Sequence, residues 1–405
     1  MRILMACAAF PPFIDGGGPI SALMVAKLLR QSGHDLEVVN VADREEREIY
    51  DGVPVQRVTT LNIDWNYRLP RPAWKRAIWH LLENFNPRAF VVMRRQIRRF
   101  RPDIVLTDSI ENINVATWLA ARTCGVPVCH ILRSTFLLCW KGSMRKSSGN
   151  CGTACGSCQA TSIGKRIMSR FVDAVIGETR FIIDKHVSHG YFPGASTHVV
   201  PGLLPNPVAT EPRSVAAGAP VRIGYLGVLD AVKGLDTLAA ALDLLAPSAR
   251  PQVLIAGTAK SQYAKALPAK FPADTSFLGW VRPDELFKRI DVLVVPSLFE
   301  EPFGRVIVEA FAAGIPVIGA RSGGIPETID PGVNGMLFPA GDAAALARLL
   351  QELMADPAQI HKLSNGALTA AQRYAPARIG AAYDAVFAGV RARKDPSAAL
   401  QDVPA

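Results

Sequence analysis

Two glutamates, Glu301 and Glu309, stand with seven residues between them in the segment 296–327, PSLFEEPFGRVIVEAFAAGIPVIGARSGGIPE. A carboxylate accepts two hydrogen bonds and so suits a pair of neighbouring hydroxyl groups. A helix opening at Gly304 presents unpaired backbone N–H groups at the positive end of its dipole, which is a ready place for an anion. At roughly 1.5 Å per residue, a mostly helical span puts the two carboxylates about 10–12 Å apart, one on either side of that anion. The span matches a ribose, a diphosphate and a sugar ring laid end to end. Further upstream, residues 224–234 read GYLGVLDAVKG. Lys233 stands there between a strand and a helix, where its ammonium can meet the same anion. The spacing is not that of a P-loop, because no Gly-x4-Gly-Lys-Ser/Thr is present.

Three weaker signals lie in the first half. Gly16, Gly17 and Gly18 follow the opening strand, and glycines there let a backbone approach a ligand closely; a plain surface turn is the competing reading. The stretch 126–139, VPVCHILRSTFLLC, ends a strand at Arg133. Period-two alternation places His130 and Leu132 on one face and Ile131 and Arg133 on the other. His130 reads as a core histidine and Arg133 as the residue at the functional end of the strand. Cys139, Cys151, Cys155 and Cys158 form a cluster rich in Gly and Ser. Four thiols at this spacing suit a structural zinc, with an iron–sulfur cluster or free thiols as the alternatives. Cys7, Cys124 and Cys129 fit as buried apolar residues.

These residues need a scaffold, and the chain is long enough to supply one. Its 405 residues are 49% hydrophobic and 20% charged, with 32 Gly and 30 Pro. At roughly 150 residues per domain this makes two or three domains and excludes a disordered, collagenous or disulfide-stapled chain. No apolar run reaches the ~18 residues of a membrane helix. The opening MRILMACAAF reads as a first buried strand rather than a signal peptide, so a cytoplasmic protein is expected.

Apolar runs alternate with amphipathic stretches, the pattern of parallel sheets wrapped by helices. Strands are expected at 3–9, 36–41, 53–59, 104–106 and 126–132, with a helix at 21–32 that buries Ala22, Val25, Ala26 and Leu29. A Pro/Gly-rich linker covers 201–220. Strands then return at 221–226, 252–256, 291–296 and 316–319, with helices at 235–245, 284–290 and 306–313. Two doubly wound Rossmann-like domains facing across a cleft follow, 1–205 and 206–375. A helix over 376–392 would return to the first domain, and a frayed tail would cover 393–405.

The net charge of +10 is one-sided. Residues 1–205 carry 26 Lys and Arg against 16 Asp and Glu, while the remainder carries 19 of each. Arg88, Arg94, Arg95, Arg98, Arg99 and Arg101 supply much of the excess. Such a half can face an anionic lipid surface or an acidic substrate, or be only a solvated helix face. Nucleic acid is disfavoured, since neither aromatic–basic interleaving nor a zinc finger is present.

The block from Glu301 through Glu309 to Gly314-Ile315-Pro316 and Gly323-Gly324-Ile325-Pro326-Glu327 resembles glycosyltransferase family 4. The resemblance implies the GT-B fold, a nucleotide-sugar donor linked to UDP or GDP, and transfer with retention of configuration. It assigns Glu301 to a sugar hydroxyl, Glu309 to the ribose, and the backbone at Phe303, Gly304, Arg305 and Val306 to the diphosphate. Lys233 would bind the diphosphate, and Gly16 and Gly17 would meet donor phosphate and acceptor. Many relatives carry Arg after the glycine matching Gly227, where this chain has Val228; Arg305 or Arg133 would supply the missing cation. Arg133 falls where many relatives have His, and Ser134 replaces an Asp, so no general base is carried over. The acceptor expected is a saccharide or lipid-linked saccharide at the inner face of the membrane, in polysaccharide assembly. No cofactor is required for the chemistry. An epimerase or hydrolase on the same fold, or a catalytically silent assembly partner, are the rival readings.

Overall fold

Runs of Val, Ile and Leu without polar alternation become strands covered on both faces, as parallel sheets require. The computed structural model describes residues 1–12, 17–59, 61–64, 72–146, 149–204, 211–216, 218–258 and 261–394. The chain divides into two units. Met1–Lys146, Cys151–Leu203 and Pro376–Ala405 make the first; Ser147–Asn150 and Leu204–Ala375 make the second.

The first unit is an eight-stranded sheet. Its strands are β1 (Arg2–Cys7), β2 (Asp35–Ala42), β3 (Glu46–Tyr50), β4 (Val53–Thr59), β5 (Ile104–Asp108), β6 (Val128–Leu132), β7 (Ala174–Gly177) and β8 (Ser196–Val199). They lie in the order β8-β7-β6-β5-β1-β2-β4-β3, all parallel except the β3–β4 pair. The opening segment is thus a central strand, and Ile3 to Cys7 are wholly buried. The helix after it, Gly17–Gln31, starts four residues earlier than its apolar pattern and buries Ala22, Val25, Ala26 and Leu29. Pro87–Phe100 is capped by Asn86, whose side chain accepts from the Arg88 and Ala89 N–H groups. This helix buries Ala89, Met93, Ile97 and Phe100, while Arg88, Arg95, Arg98 and Arg99 are exposed, and Arg99 pairs with Glu37. The helix Pro376–Lys394 counts in this unit. Its Ile379, Tyr383, Val386, Phe387 and Val390 join the core around β1, at the spacing of one helical face. Asp384 meets His34 Nε2 at 2.7 Å, which makes His34 a residue of that seam.

The second unit is a six-stranded parallel sheet of β9 (Arg222–Leu226), β10 (Gln252–Ala256), β11 (Ser276–Gly279), β12 (Val292–Val295), β13 (Val317–Arg321) and β14 (Gly335–Pro339). Its order, β11-β10-β9-β12-β13-β14, is that of a doubly wound sheet. Asp291 fixes the β9–β12 junction, accepting from Arg222 Nε at 3.0 Å and Nη2 at 2.6 Å. The expected helix at 284–290 is the shorter Pro283–Phe287. Among the described residues no helix is long and apolar enough to cross a membrane. Gly16 and most of the tail beyond Arg393 lie outside the described residues, as do parts of the 201–220 linker.

Candidate functional site

In the second unit the strand order reverses between β9 and β12, and ligands of such sheets bind beyond the carboxyl ends of the strands at that point. Two loops leave there. The first runs from Gly227 to a one-turn helix, Ala231–Lys233, whose start Asp230 caps by accepting the Val232 N–H. The second follows Pro296. The loops are fastened together, because the Val232 carbonyl accepts from both the Leu298 and Phe299 N–H groups at 2.9 Å. Gly234 ends the first loop at φ +77, and a Cβ there would lie 1.8 Å from the Pro296 carbonyl oxygen. Only glycine permits that approach.

The fastening delivers Lys233 to Glu301. The Lys233 ammonium donates to Glu301 Oε1 at 2.6 Å, and Ser297 Oγ donates to the same oxygen at 2.9 Å. Both side chains keep some exposure, 28% for Lys233 and 15% for Glu301. The Gly323-Gly324 pair sets the backbone behind Glu301. A Cβ on Gly323 (φ +59) would come within 2.4 Å of the Glu301 carbonyl oxygen, and the Gly324 N–H donates to that oxygen at 2.7 Å.

Gly304, at φ +80, opens the helix Arg305–Ala312 with no side-chain cap. An uncapped first turn leaves backbone donors for an anion, at the place expected for Phe303 to Val306. Phe303 is buried against Tyr374, which fixes the approach to the helix. Glu309 lies one turn on and pairs with Arg305 Nε at 2.7 Å. Burial raises its pKa and Arg305 opposes the rise. One correction follows for the expected spacing. Only residues from Arg305 onward are helical, so the 1.5 Å rise per residue does not extend back to Glu301. Lys233, Glu301, Glu309 and the Gly304 turn all belong to the second unit, on segments that follow the carboxyl ends of β9 and β12. Val228 is exposed, and its carbonyl accepts the Tyr225 hydroxyl.

In the first unit three neighbouring strands end in charge. Asp108 closes β5, Arg133 follows β6 and Glu178 follows β7. Arg133 Nε donates to both Asp108 oxygens at 2.7 and 2.9 Å, and Nη1 donates to Glu178 at 2.7 Å. Burial works against the guanidinium charge, yet the two carboxylates outweigh it and raise the Arg133 pKa. Its Nη2 is buried and has no hydrogen-bond partner among the described residues. The sequence reading missed Asp108 and Glu178, although each ends an apolar strand, which is an audible signal. His130 is a core residue: it is buried, bonds Thr107 Oγ1 at 2.8 Å, and burial pushes its pKa down to about 3. Gly17 begins its helix, and among the described residues nothing lies within 4 Å of the position a Cβ there would take.

Of the four cysteines expected to hold a structural zinc, Cys139 and Cys158 are buried and Cys151 and Cys155 half-buried, all four as free thiols. Among the described residues no three His, Cys, Asp or Glu side chains are gathered as a metal needs. The Cys155 sulfur lies 3.3 Å from Ser157 Oγ. Cys151 is fixed by its backbone, through Met144 and Lys185.

Residues 16–202 match the family described as Glycosyl transferase 4-like domain, and residues 210–369 match Glycosyl transferases group 1. The chain is 27% identical over 330 residues to an uncharacterized 42.6 kDa protein in the cps region of Klebsiella pneumoniae, covering 81% of this chain and 87% of that one. It is 27% identical over 355 residues to the GDP-mannose-dependent alpha-mannosyltransferase of Corynebacterium glutamicum, covering 84% and 78%. Among solved structures, Anabaena HepE in complex with UDP superposes with a TM-score of 0.71 at 20% identity, over 96% of this chain and all of that one. With a transferase family matching each half, and two Rossmann-like units built as in its structural neighbours, this chain is a glycosyltransferase of the GT-B fold.

Proposed function

We propose that this chain is a retaining hexosyltransferase, moving a sugar from a UDP- or GDP-linked donor to a saccharide or lipid-linked saccharide in surface-polysaccharide assembly. The observation that carries the reading is the Lys233–Glu301 pair beside the uncapped Gly304 turn, at the reversal point of the second sheet. The diphosphate takes the helix N-terminus and Lys233, Glu301 takes a sugar hydroxyl, and Glu309 the ribose. The acceptor hydroxyl attacks the anomeric carbon on the face the diphosphate leaves. The C–O bond to phosphate breaks, and the departing phosphate oxygen takes the acceptor proton. Lys233 and the backbone donors stabilise the charge that grows on that oxygen. The GDP-mannose-dependent and UDP-bound relatives support the donor class, and the cps-region relative supports the pathway class.

A thermal-shift panel of UDP, GDP, ADP and their common sugar conjugates tests the donor. A nucleotide bound only by the folded state adds about 2.7 kcal/mol at a hundredfold excess over its Kd. One base should shift the wild type selectively, and Glu309→Ala should weaken that shift. No shift from any nucleotide would transfer the reading to a silent assembly partner, and donor turnover without acceptor to a hydrolase or epimerase.

The acceptor is proposed to be met at an anionic membrane. Trp74, Ile78, Leu81 and Phe85 are exposed at helical spacing along Ala73–Asn84 and its C-terminal cap, beside Lys75 and Arg76 and followed in sequence by the arginine-faced helix. An apolar stripe with basic flanks suits a lipid interface. The protein should float with phosphatidylglycerol vesicles at low salt and leave them as salt rises. Equal recovery with neutral vesicles, or none with anionic ones, would remove this part of the reading.

A further inference from the structure

The amino ends of β6, β7 and β8 are tied together by Asp173, the residue that precedes β7. Its N–H donates to the Val128 carbonyl at 2.9 Å, its carbonyl accepts the Ser196 N–H at 3.0 Å, and its Oδ2 accepts the Val128 N–H at 2.8 Å. At this junction, within the first unit, lies a cavity of about 350 Å³. Three arginines line it, and each comes from a different segment. Arg122 stands in the last turn of the helix Ala116–Thr123, Arg170 in the one-turn helix Ser169–Phe171, and Arg393 near the end of the helix Pro376–Lys394. Phe171 and Val390 supply an apolar wall. Val390 precedes Arg393 by three residues, so both fall on one face of their helix. We propose that this cavity is a binding site for a phosphate ester, with the phosphate on the arginines and the carbon part against Phe171 and Val390.

Charge and geometry both favour that ligand. Three guanidinium groups share the cavity with one carboxylate, that of Asp173, and Asp173 already accepts the Val128 N–H. All three arginines are exposed, and none pairs with a carboxylate among the described residues. A cation in the last turn of a helix answers the carbonyls there. That role asks for one arginine at each helix end and does not bring three to one cavity. The cations lining it are all arginine, whose planar fork matches two oxygens of a phosphate at once. The volume is at the lower end of the range for small-molecule sites, about 300–1,000 Å³. This inference does not depend on the proposed transferase reaction, whose donor groups belong to the second unit.

The test is performed on the full chain, with glycerol 3-phosphate as the probe and isothermal titration calorimetry as the readout. The wild type should bind it, with an affinity that falls as salt rises. Arg122→Ala, Arg170→Ala and Arg393→Ala should each weaken binding about tenfold or more, the effect of losing one charged hydrogen bond to the ligand. Arg170→Lys should lose only part of that, since it keeps the charge without the fork. The three side chains are exposed, so melts of the variants without ligand should match the wild type. Lys233→Ala should bind the probe as the wild type does, which separates this cavity from the donor site. Flotation with phosphatidylglycerol vesicles then identifies the source of the ester. If the variant carrying all three alanine substitutions loses both the probe and the vesicles, the ester is a lipid headgroup. If it loses the probe alone, the ester is a soluble one. The proposal is overturned if the wild type takes up no glycerol 3-phosphate at millimolar concentration, or if the triple variant binds it as the wild type does. Loss of binding in Lys233→Ala would overturn it equally, by placing the phosphate at the donor site.

Discussion

Lys233→Ala should lower kcat by about 10²–10³-fold, the effect of removing one preorganised charge-stabilising group. The ammonium reaches its place through backbone: the Val232 carbonyl grips the Leu298 and Phe299 N–H groups, and Gly234 lets the loop press on Pro296. None of these contacts involves the Lys233 side chain, so the substitution leaves the loops and the Ser297–Glu301 bond standing. The fold should lose little, since a partly exposed ion pair contributes about 0–1 kcal/mol. Nucleotide binding should weaken less than turnover falls, because the donor diphosphate is already charged and only the added charge belongs to the transition state. Lys233→Arg should recover part of the rate by keeping a cation at the site. Steady-state kinetics at saturating donor, beside a thermal melt, separate these effects. A wild-type kcat in a folded Lys233→Ala protein would remove Lys233 from the mechanism and leave the helix N-terminus alone with the diphosphate.

The sequence speaks most clearly where one physical cause dominates. Strands buried on both faces are continuous apolar runs, so the central strands other than the four-residue β7 were legible, and β10 was placed to the residue. The edge strands were not. β3 reads EREIY, with charge where a central strand would be apolar, and its pairing to β4 is decided by the neighbouring chain. β8 is four residues, partly exposed, and takes its register from β7. At the site, residue types were legible and contacts were not. Glu301, Glu309 and Lys233 stood out by chemistry and resemblance. That Lys233 bonds Glu301, and that Gly323 must be glycine to pass the Glu301 carbonyl, follows only once β9 and β12 are neighbours.

Arg133→Ala should cost the fold about 3–5 kcal/mol, the range for breaking a buried ion pair from one side. Arg133 is 8% exposed, and its side chain satisfies Asp108, itself 1% exposed, together with Glu178 at 11%. Without the guanidinium, the buried Asp108 carboxylate loses the cation that faces it. The loss should depend on pH in a defined direction. Burial already raises the Asp108 pKa in the folded protein, and Arg133 holds the rise down. Removing Arg133 lifts that pKa further above its unfolded value, so the folded variant binds the proton more tightly than the unfolded chain does. The deficit is then full above the folded pKa, and shrinks as pH falls through it toward the unfolded value. Urea unfolding of both proteins between about pH 5 and pH 8 measures this. A deficit that grows toward low pH, or none at the alkaline end, would refute the charge account. Asp108→Asn placed in the Arg133→Ala background removes one stranded charge and should return part of the stability. No recovery of stability in the double variant would remove the buried ion pair from the account of the fold.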